Sequence, residues 1–190
     1  KTDMKFRNDN NIDSIQIGSD IKEISGGKLG FRYSGGGSFS ECSSLTQIII
    51  PSSVTHIGDY AFLRCSSLIH IIIPSSVTEI GKGSFSECSS LMQILIQSSI
   101  TEIKEYTFHG CLSLTQISIP SSVTKIKDFA FSECPLLTQI SMPSSITKIG
   151  YGAFKNCKII TLSGDMTNIP NGFKGCSSLT QISISSSVTS

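Results

Sequence analysis

A phenylalanine followed three residues later by a cysteine recurs along this chain at a constant interval of 23 residues. Intervals of about 20 to 50 residues are typical of repeat proteins, whose units bury their apolar faces only by stacking on one another. The sequence therefore predicts one elongated domain with an extended functional surface rather than a single pocket. The pairs are Phe39 and Cys42, Phe62 and Cys65, Phe85 and Cys88, Phe108 and Cys111, Phe131 and Cys134, and Phe154 and Cys157.

The amino-acid composition argues against some classes of binding partner. Charged residues make up 15% of the 190 residues and the formal net charge is +1. That balance argues against nucleic acid or an anionic membrane as a partner. The longest apolar runs, such as residues 48–50, have the length of a strand and fall far short of the roughly 20 residues of a membrane helix. The polar segment 1–11 lacks the apolar core of a signal peptide, which leaves secretion open.

Each repeat begins with a short β-branched run that favours a strand. In the unit 45–67, Leu, Ile and Ile occupy positions 1, 4 and 6. A second extended piece at 54–57 follows, and Gly58 permits the bend after it. From Asp59 to Cys65 the apolar residues have helical spacing, which predicts one turn of α or 3₁₀ helix. The first strand ends at a proline in four repeats, at Pro51, Pro74, Pro120 and Pro143.

From Ile12 to Thr189 these residues resemble a leucine-rich repeat of the BspA-like class, whose pattern is approximately LxxIxIPxxVxxIGxxAFxxCxxL. The resemblance implies an α/β solenoid with a parallel β-sheet on its concave side, and second short strands and short helical or 3₁₀ turns on its convex side. We expect a single solenoid of about eight coils over residues 12–190, the last of them incomplete. The resemblance also implies protein binding, since family members are often surface proteins that bind host molecules or other cells, while some are intracellular.

Two segments depart from the repeat. The glycine-rich stretch 25–37 is interpreted as an inserted loop, because no GxxxxGK[ST] motif follows that would make it a phosphate cradle. The interval from Cys157 to Phe173 is shortened to 16 residues, against 20 between Cys65 and Phe85, which predicts a tighter coil or a change of curvature.

The cysteines occupy a shared structural position. Six follow the repeat and the seventh, Cys176, keeps the same offset from Phe173. An odd total excludes complete internal pairing, and one small apolar side chain per coil suits a buried ladder. We expect reduced cysteines in the core, with disulfides or a metal as the alternative; no CxxC pair supports zinc.

The sequence offers little for catalysis. His56, His70 and His109 fall at different repeat positions, and many serines belong to the Pro-Ser-Ser and Cys-Ser-Ser steps, where hydroxyls satisfy turn backbone. Glu79 and Glu102 share one position, which we interpret as part of a solvated charge ladder. We therefore predict no catalytic residue, no cofactor and no metal site. The charge ladder consists of His56, Glu79, Glu102, Lys125, Lys148 and Asn168.

The outward strand positions carry the candidate site. If positions 1, 4 and 6 point inward, positions 3 and 5 point outward, because strand residues alternate. Position 3 is almost entirely glutamine, and positions 2 and 5 are apolar only in the N-terminal half. A contiguous apolar patch with polar margins often marks a binding surface. The predicted partner-binding residues are Ile49, Ile69, His70, Ile72, Met92, Gln93, Leu95 and Gln116.

Two alternatives to binding stay open for these columns. The glutamines, which include Gln47, Gln139 and Gln181, could serve hydrogen bonding between coils. The loop 25–37, with Leu29, Phe31 and Tyr33, could fold back over the apolar patch.

The partner hypothesis has two forms. The first is an adhesin-like protein that binds a cell-surface or host component; the second is an intracellular scaffold or regulatory subunit that engages an enzyme such as a phosphatase or kinase. The compartment stays open, because the resemblance favours the cell surface while unpaired cysteines suit a reducing cytosol. Since the chain reaches Ser190 with the repeat still in phase, homo-oligomerisation through an open C-terminal coil is a further hypothesis.

Overall fold

The computed structural model describes residue 11, residues 13–27 and 37–157, and the backbone of the strand Thr161–Ser163. The tip of the predicted loop, the shortened coil beyond Cys157, Cys176 and the C-terminal coil lie outside these residues. The predictions made for them therefore stay predictions.

The first strand of every described repeat joins one parallel sheet, called here the long sheet. Neighbouring strands are consecutive repeats in register, so that His70 pairs with Gln93 and Gln93 pairs with Gln116, each 23 residues further along the chain. Equivalent positions of successive coils therefore lie side by side. The strands, in spatial order, are β1 Ser14–Gln16, β3 Gln47–Ile49, β5 His70–Ile73, β7 Gln93–Ile96, β9 Gln116–Ser118, β11 Gln139–Ser141 and β13 Thr161–Ser163.

The second short strands form two parallel sheets, called here the rim sheets. Each strand has two residues, the first pointing outward and the second buried, as in Glu79 and Ile80 of β6. The first rim sheet contains β2 Glu23–Ile24, β4 His56–Ile57 and β6 Glu79–Ile80; the second contains β8 Glu102–Ile103, β10 Lys125–Ile126 and β12 Lys148–Ile149.

The predicted direction of the strand side chains is confirmed. In the unit 45–67, Leu45, Ile48 and Ile50 are buried, whereas Gln47 and Ile49 are exposed. The same alternation continues in β5 and β7. The core therefore lies between the long sheet and the rest of each coil.

The predicted helical turn is wrong: the described residues contain no helix, and 59–65 form a run of β-turns. The Ala61 amide donates to the Gly58 carbonyl of its own coil at 3.3 Å, but the Phe62 amide donates to Ser84 of the next coil at 2.8 Å. A helix would need every amide to bond within its own segment. Since alternate amides are donated to the neighbouring coil, these residues continue the stacking that the strands begin.

These turns, called here the turn ladder, place in the left-handed region two residues of each described coil from Tyr60 onward, and Glu41 of the coil before. Non-glycine residues adopt that conformation at a cost of roughly 1–2 kcal/mol, so stacking must hold it in place. One set precedes the buried phenylalanine by two residues and the other precedes the cysteine by one. The residues are Tyr60, Gly83, Tyr106, Phe129 and Gly152 in the first set, and Glu41, Arg64, Glu87, Gly110, Glu133 and Asn156 in the second.

The repeated phenylalanines form a continuous stack through the core. From Phe39 to Phe154, ring centroids of successive coils lie 5.1–5.7 Å apart and the ring planes differ by 4–16°. Each of these rings is almost fully buried. Consequently every coil shares an apolar surface with the coil on either side.

The cysteines are free and buried, as predicted for the six that are described, but they also have a polar role that the sequence did not reveal. The Cys88 thiol donates to the Phe62 carbonyl at 3.1 Å, and that carbonyl also accepts the Cys65 amide at 3.2 Å. Both acceptor sites of a buried carbonyl are thereby used. Equivalent thiol hydrogen bonds of 3.0–3.3 Å recur at Cys65, Cys111, Cys134 and Cys157.

The rim is interrupted between β6 and β8, although the long sheet is continuous there. At this junction Gln97 takes the place of proline, and its amide donates to the Ile73 carbonyl at 3.0 Å. A proline has no amide hydrogen and could not do so. The extra bond prolongs the pairing of β5 with β7, and the turn that follows Pro51 and Pro74 is absent after Gln97.

A change from glycine to lysine also occurs at this junction, but it does not by itself explain the interruption. A Cβ at Gly81 would lie 2.4 Å from backbone atoms of the preceding coil, and Lys104 occupies the equivalent position in the next coil. Lys127 occupies the position after that, yet its amide donates to Ile103 at 2.8 Å and the pairing there is intact. The additional bond of Gln97 and the missing turn after it occur at this junction and not at the proline junctions on either side, and they are therefore the better explanation.

The residues on both sides of the predicted insertion are neighbours in space. The Ser38 amide donates to the Ser25 carbonyl at 3.0 Å, and the Gly27 amide donates to Asp59 of the following coil at 2.7 Å. The described residues before and after the predicted insertion are therefore hydrogen-bonded within the same part of the solenoid.

The phenylalanine stack predicts a large cost for removing one ring. Phe85→Ala should lower the free energy of unfolding by about 3–5 kcal/mol, because it removes buried area and leaves a cavity between two coils. Ile72→Ala, at an exposed strand position, should change it by less than about 0.5 kcal/mol. Urea unfolding followed by circular dichroism measures both, and similar values for the two variants would contradict the assigned core.

The buried thiols predict loss of stability in alkaline solution. Burial raises the pKa of the Cys88 thiol from 9.0 to about 12, so between these values the folded chain holds a proton that the unfolded chain has lost. The free energy of unfolding is therefore unaffected by this thiol below about pH 9 and decreases as the pH rises. At about pH 10 one such thiol should have lowered it by roughly 1 kcal/mol. Cys88→Ser keeps a donor that does not titrate at these pH values, so its stability should fall less steeply. Parallel slopes for the two proteins would contradict the assignment.

The interrupted rim predicts unequal hydrogen exchange. The Gly81, Lys127 and Gly150 amides donate to the preceding coil at 2.7–2.8 Å, whereas the equivalent Lys104 amide makes no such bond. Lys104 should therefore exchange its amide hydrogen faster than the other three, since exchange from a hydrogen-bonded amide requires local opening. Exchange followed by NMR tests this order, and equal protection at all four positions would contradict it.

Candidate functional site

The apolar residues of the predicted site are brought together on the outer face of the long sheet. Ile49 and Ile72 are 52% and 55% exposed, and Leu95 is 46% exposed. Ile69 and Met92 lie beside them at 37% and 50% exposure. These five residues are called here the apolar patch. They lie on the three consecutive coils that carry β3, β5 and β7.

The strand register determines the shape of the apolar patch. Ile72 pairs with Leu95 across β5 and β7, while the pairing of Gln47 with His70 aligns Ile49 with the same column. A groove of about 570 Å³ runs over β3 and β5, with Ile49, Ile69 and Ile72 among its lining residues. The apolar patch is therefore a continuous surface with a depression, not a set of isolated side chains.

The polar members of the predicted site form an adjacent column. His70, Gln93 and Gln116 are exposed and paired in register. Within the described part of the chain, the side-chain amides of Gln93, Gln116 and Gln139 make no hydrogen bond to another residue. The structure thus gives no support to the alternative in which stacked glutamines tie the coils together, and the amides face outward as potential donors and acceptors.

Beyond β7 the same face becomes polar. Position 5 changes from Leu95 to Ser118 and Ser141, and a shallow groove of about 410 Å³ crosses these strands. From β3 to β11 the outward strand positions carry no Asp, Glu, Lys or Arg. The face is therefore uncharged apart from the titratable ring of His70, and it offers apolar contacts at one end and neutral hydrogen-bonding groups at the other.

The charges lie instead along the rim. Glu79 pairs with Lys104 of the next coil, and Glu102 pairs with Lys127 at 3.4 Å. The hydrogen bond and charge of Lys104 lower the pKa of Glu79. Burial alone would lower the pKa of Lys104, but the hydrogen bond and charge of Glu79 outweigh burial and raise it. Glu79 and Glu102 are thus paired with lysines of the following coil that lie outside the predicted charge ladder.

The three histidines lie on different parts of the coil, as predicted. His56 is on β4, His70 on β5, and His109 in the turn ladder. His109 Nδ1 lies 2.8 Å from Ser132 Oγ, but that hydroxyl donates its proton to the Phe129 carbonyl at 2.9 Å. Ser132 Oγ thus contacts both the histidine ring of the preceding coil and a carbonyl of its own turn. The pair closes a turn and Ser132 is buried.

Sequence reasoning missed a third groove, at the corner between the turn ladder and the long sheet. It has a volume of about 750 Å³ and is lined by Glu41, Arg64, Glu87, Gly110 and Leu112, with Ser43, Ser66 and Ser89. It is called here the corner groove. Its sequence signal was the column one residue before each cysteine, which begins with the opposite charges of Glu41, Arg64 and Glu87, whereas the predicted site contained only residues of the strand columns.

Neither a metal cluster nor a membrane-spanning helix is found in the part of the chain that the structure describes. Within the described residues, no three His, Cys, Asp or Glu side chains are grouped as metal ligands would be. No helix among them has the length and apolar character needed to span a membrane.

Comparison with known proteins decides the family. The model of the BspA type leucine rich repeat region matches in six copies, over residues 2–134, 34–161 and 101–190. The chain belongs to this family. The family is a repeat scaffold. A comparison with curated protein sequences gives no match.

Solved structures of leucine-rich repeat proteins share the fold. A protein from Bacteroides ovatus is 26% identical with a TM-score of 0.66, and the match covers 96% of this chain and 57% of that one. A protein from Eubacterium ventriosum is 24% identical with a TM-score of 0.66, over 94% and 40% of the two chains. The T. pallidum leucine rich repeat protein is 22% identical with a TM-score of 0.61, over 80% and 66%. The chain therefore spans about half the length of the first two.

Proposed function

We propose that this chain is a non-enzymatic protein-binding module that holds a protein partner on the apolar patch of the long sheet. The observation that carries the proposal is the exposure of five large apolar side chains, 37–55% each, on three consecutive coils of one rigid face. A contiguous apolar surface with polar margins is typical of protein interaction sites. The leucine-rich repeat family supports the class of function, and an adhesin-like role at a cell surface is its first specific form.

The chemistry of the face indicates what the partner must present. Ile49, Ile72 and Leu95 require apolar side chains opposite them, while the adjacent Gln93 and Gln116 amides suit backbone or neutral polar groups. Since the strand positions around them carry no ionic charge, ion pairs contribute little to this contact. Binding should therefore depend only weakly on ionic strength, unlike binding driven by surface charge.

A pair of double variants tests the proposal. Ile72→Glu with Leu95→Glu places two charges in the apolar patch, whereas Ser118→Glu with Ser141→Glu places the same charges in the same column on the polar half. Because all four side chains point outward, both proteins should fold with nearly wild-type stability. Capture of the protein partner, measured at low and high salt, should fall at least tenfold for the first pair and change little for the second.

The outcomes are distinguishable. Equal capture by both double variants would contradict binding through the apolar patch, and severe unfolding of the first would contradict its exposed position. Light scattering on each protein separates a second copy of this chain from a different partner. A mass that drops to monomer only in the apolar-patch variant would identify a second copy as the occupant.

A further inference from the structure

His70 interrupts a column of glutamines on the long sheet. Its register partners are Gln47 on β3 and Gln93 on β7. The column then continues as Gln116 and Gln139. An imidazole therefore stands where the neighbouring coils have an uncharged amide. Histidine is the side chain that gains a positive charge in mildly acidic solution, so this coil alone among them can change the charge of the column.

The other two histidines of the chain have side-chain partners, whereas His70 has none. His56 Nε2 lies 4.0 Å from Glu79 Oε2, and His109 Nδ1 lies 2.8 Å from Ser132 Oγ. Within the residues that the structure describes, the ring of His70 makes no hydrogen bond and no ion pair. Its side chain thus contributes no polar contact between coils, and its ring nitrogens face outward.

His70 lies in the depression of the apolar patch. The groove of about 570 Å³ is lined by His70 together with Ile49, Ile69 and Ile72. The ring is exposed on the same side of β5 as the side chain of Ile72, two residues later. A partner that covers this depression therefore also covers the imidazole.

The strands on either side of His70 place no charge opposite it. The outward positions of β3 and β7 hold two amides and two apolar side chains, those of Gln47, Ile49, Gln93 and Leu95. Asp13 begins the column that continues through Thr46 and Ile69, so it lies two coils from His70. At the spacing of parallel strands this is roughly 10 Å, about the distance at which physiological salt screens exposed charges. A proton on His70 would therefore be an unpaired charge within the apolar patch.

We propose that His70 makes binding at the apolar patch dependent on pH: the neutral imidazole allows the partner to bind, and protonation weakens the complex. The role assigned to His70 rests on the proposed function, because it concerns the same surface. Its physical cause is desolvation. A partner that covers the patch removes water from the ring, and an imidazolium without an opposite charge loses more solvation than a neutral imidazole does.

The test uses the neutral peptide acetyl-Leu-Gly-Leu-amide, which offers apolar side chains and neutral backbone groups. It is titrated into the wild-type protein at about pH 7.5 and about pH 5.5, a range over which carboxylates and lysines largely keep their charges. The Ile72 and Leu95 methyl signals, followed by NMR, should report several-fold weaker binding at the lower pH.

The outcomes separate this role from the function of the patch. Equal or tighter binding at the lower pH would overturn the role of His70 and leave binding by the apolar patch intact. Lack of binding at both pH values would contradict the patch as a binding surface and, with it, the role of His70.

The ring signal of His70 provides a second readout. Because the coupling between proton and peptide is reciprocal, saturation with the peptide should move the midpoint of this signal to lower pH. A residue with a merely structural role would titrate in the same way with and without the peptide. An unchanged midpoint would therefore contradict the coupling.

Three variants assign the effect to this position. His70→Gln restores the glutamine of the column and should bind the peptide equally at both pH values, as tightly as the wild type at the higher one. His56→Gln removes a histidine from the rim and should keep the wild-type pH dependence. His70→Gln with Gln139→His retains a histidine on the long sheet but places it three coils from β5, so the pH dependence should be lost. PH dependence that persists in His70→Gln would overturn the assignment.

Discussion

The stacking of coils at a fixed 23-residue register is the constraint on which the rest of the structure depends. Each coil donates amides of its strands, and alternate amides of its turns, to a neighbouring coil, so that one coil cannot shift without breaking bonds along its whole length. Because equivalent positions of successive coils lie above one another, each core side chain must pack against the equivalent side chain of the next coil. Phenylalanine does so by stacking, and cysteine does so by combining a small volume with a donor for the carbonyl of the coil before it.

Sequence reasoning predicted the strands and the direction of their side chains correctly, because β-branched alternation ending at proline is a local signal. It failed at residues 59–65, where Ala61, Phe62 and Cys65 have the spacing of a helical face. That spacing shows which side chains are buried but not which carbonyls accept the backbone amides. Here alternate amides donate to carbonyls of the next coil. The polar role of the cysteines was hidden for the same reason, since their acceptor is a backbone carbonyl 26 residues earlier, and no side-chain pattern records it.

The apolar patch could be predicted because it lies on strands, whose two-residue period assigns each side chain to a face. The corner groove could not be found in that way, because it lies on turns with left-handed residues, where no simple period links sequence to direction. Its pattern becomes visible only when columns are compared between coils. Gly110 stands where its neighbours are charged, and Gln97 stands where its neighbours are proline. In a stacked repeat, the informative residue is therefore one that differs from the equivalent residues of the neighbouring coils.

The separation of core columns from surface columns also explains how such a scaffold can carry two unlike surfaces. The face of the long sheet is neutral and partly apolar, while the rim and the corner groove contain the ion pairs. Surface columns can change from isoleucine to serine, or from arginine to glycine, between successive coils, because the phenylalanine stack and the backbone hydrogen bonds between coils do not involve those side chains. Binding chemistry therefore varies along the solenoid axis at little cost in stability, and variants at outward positions separate loss of binding from loss of fold.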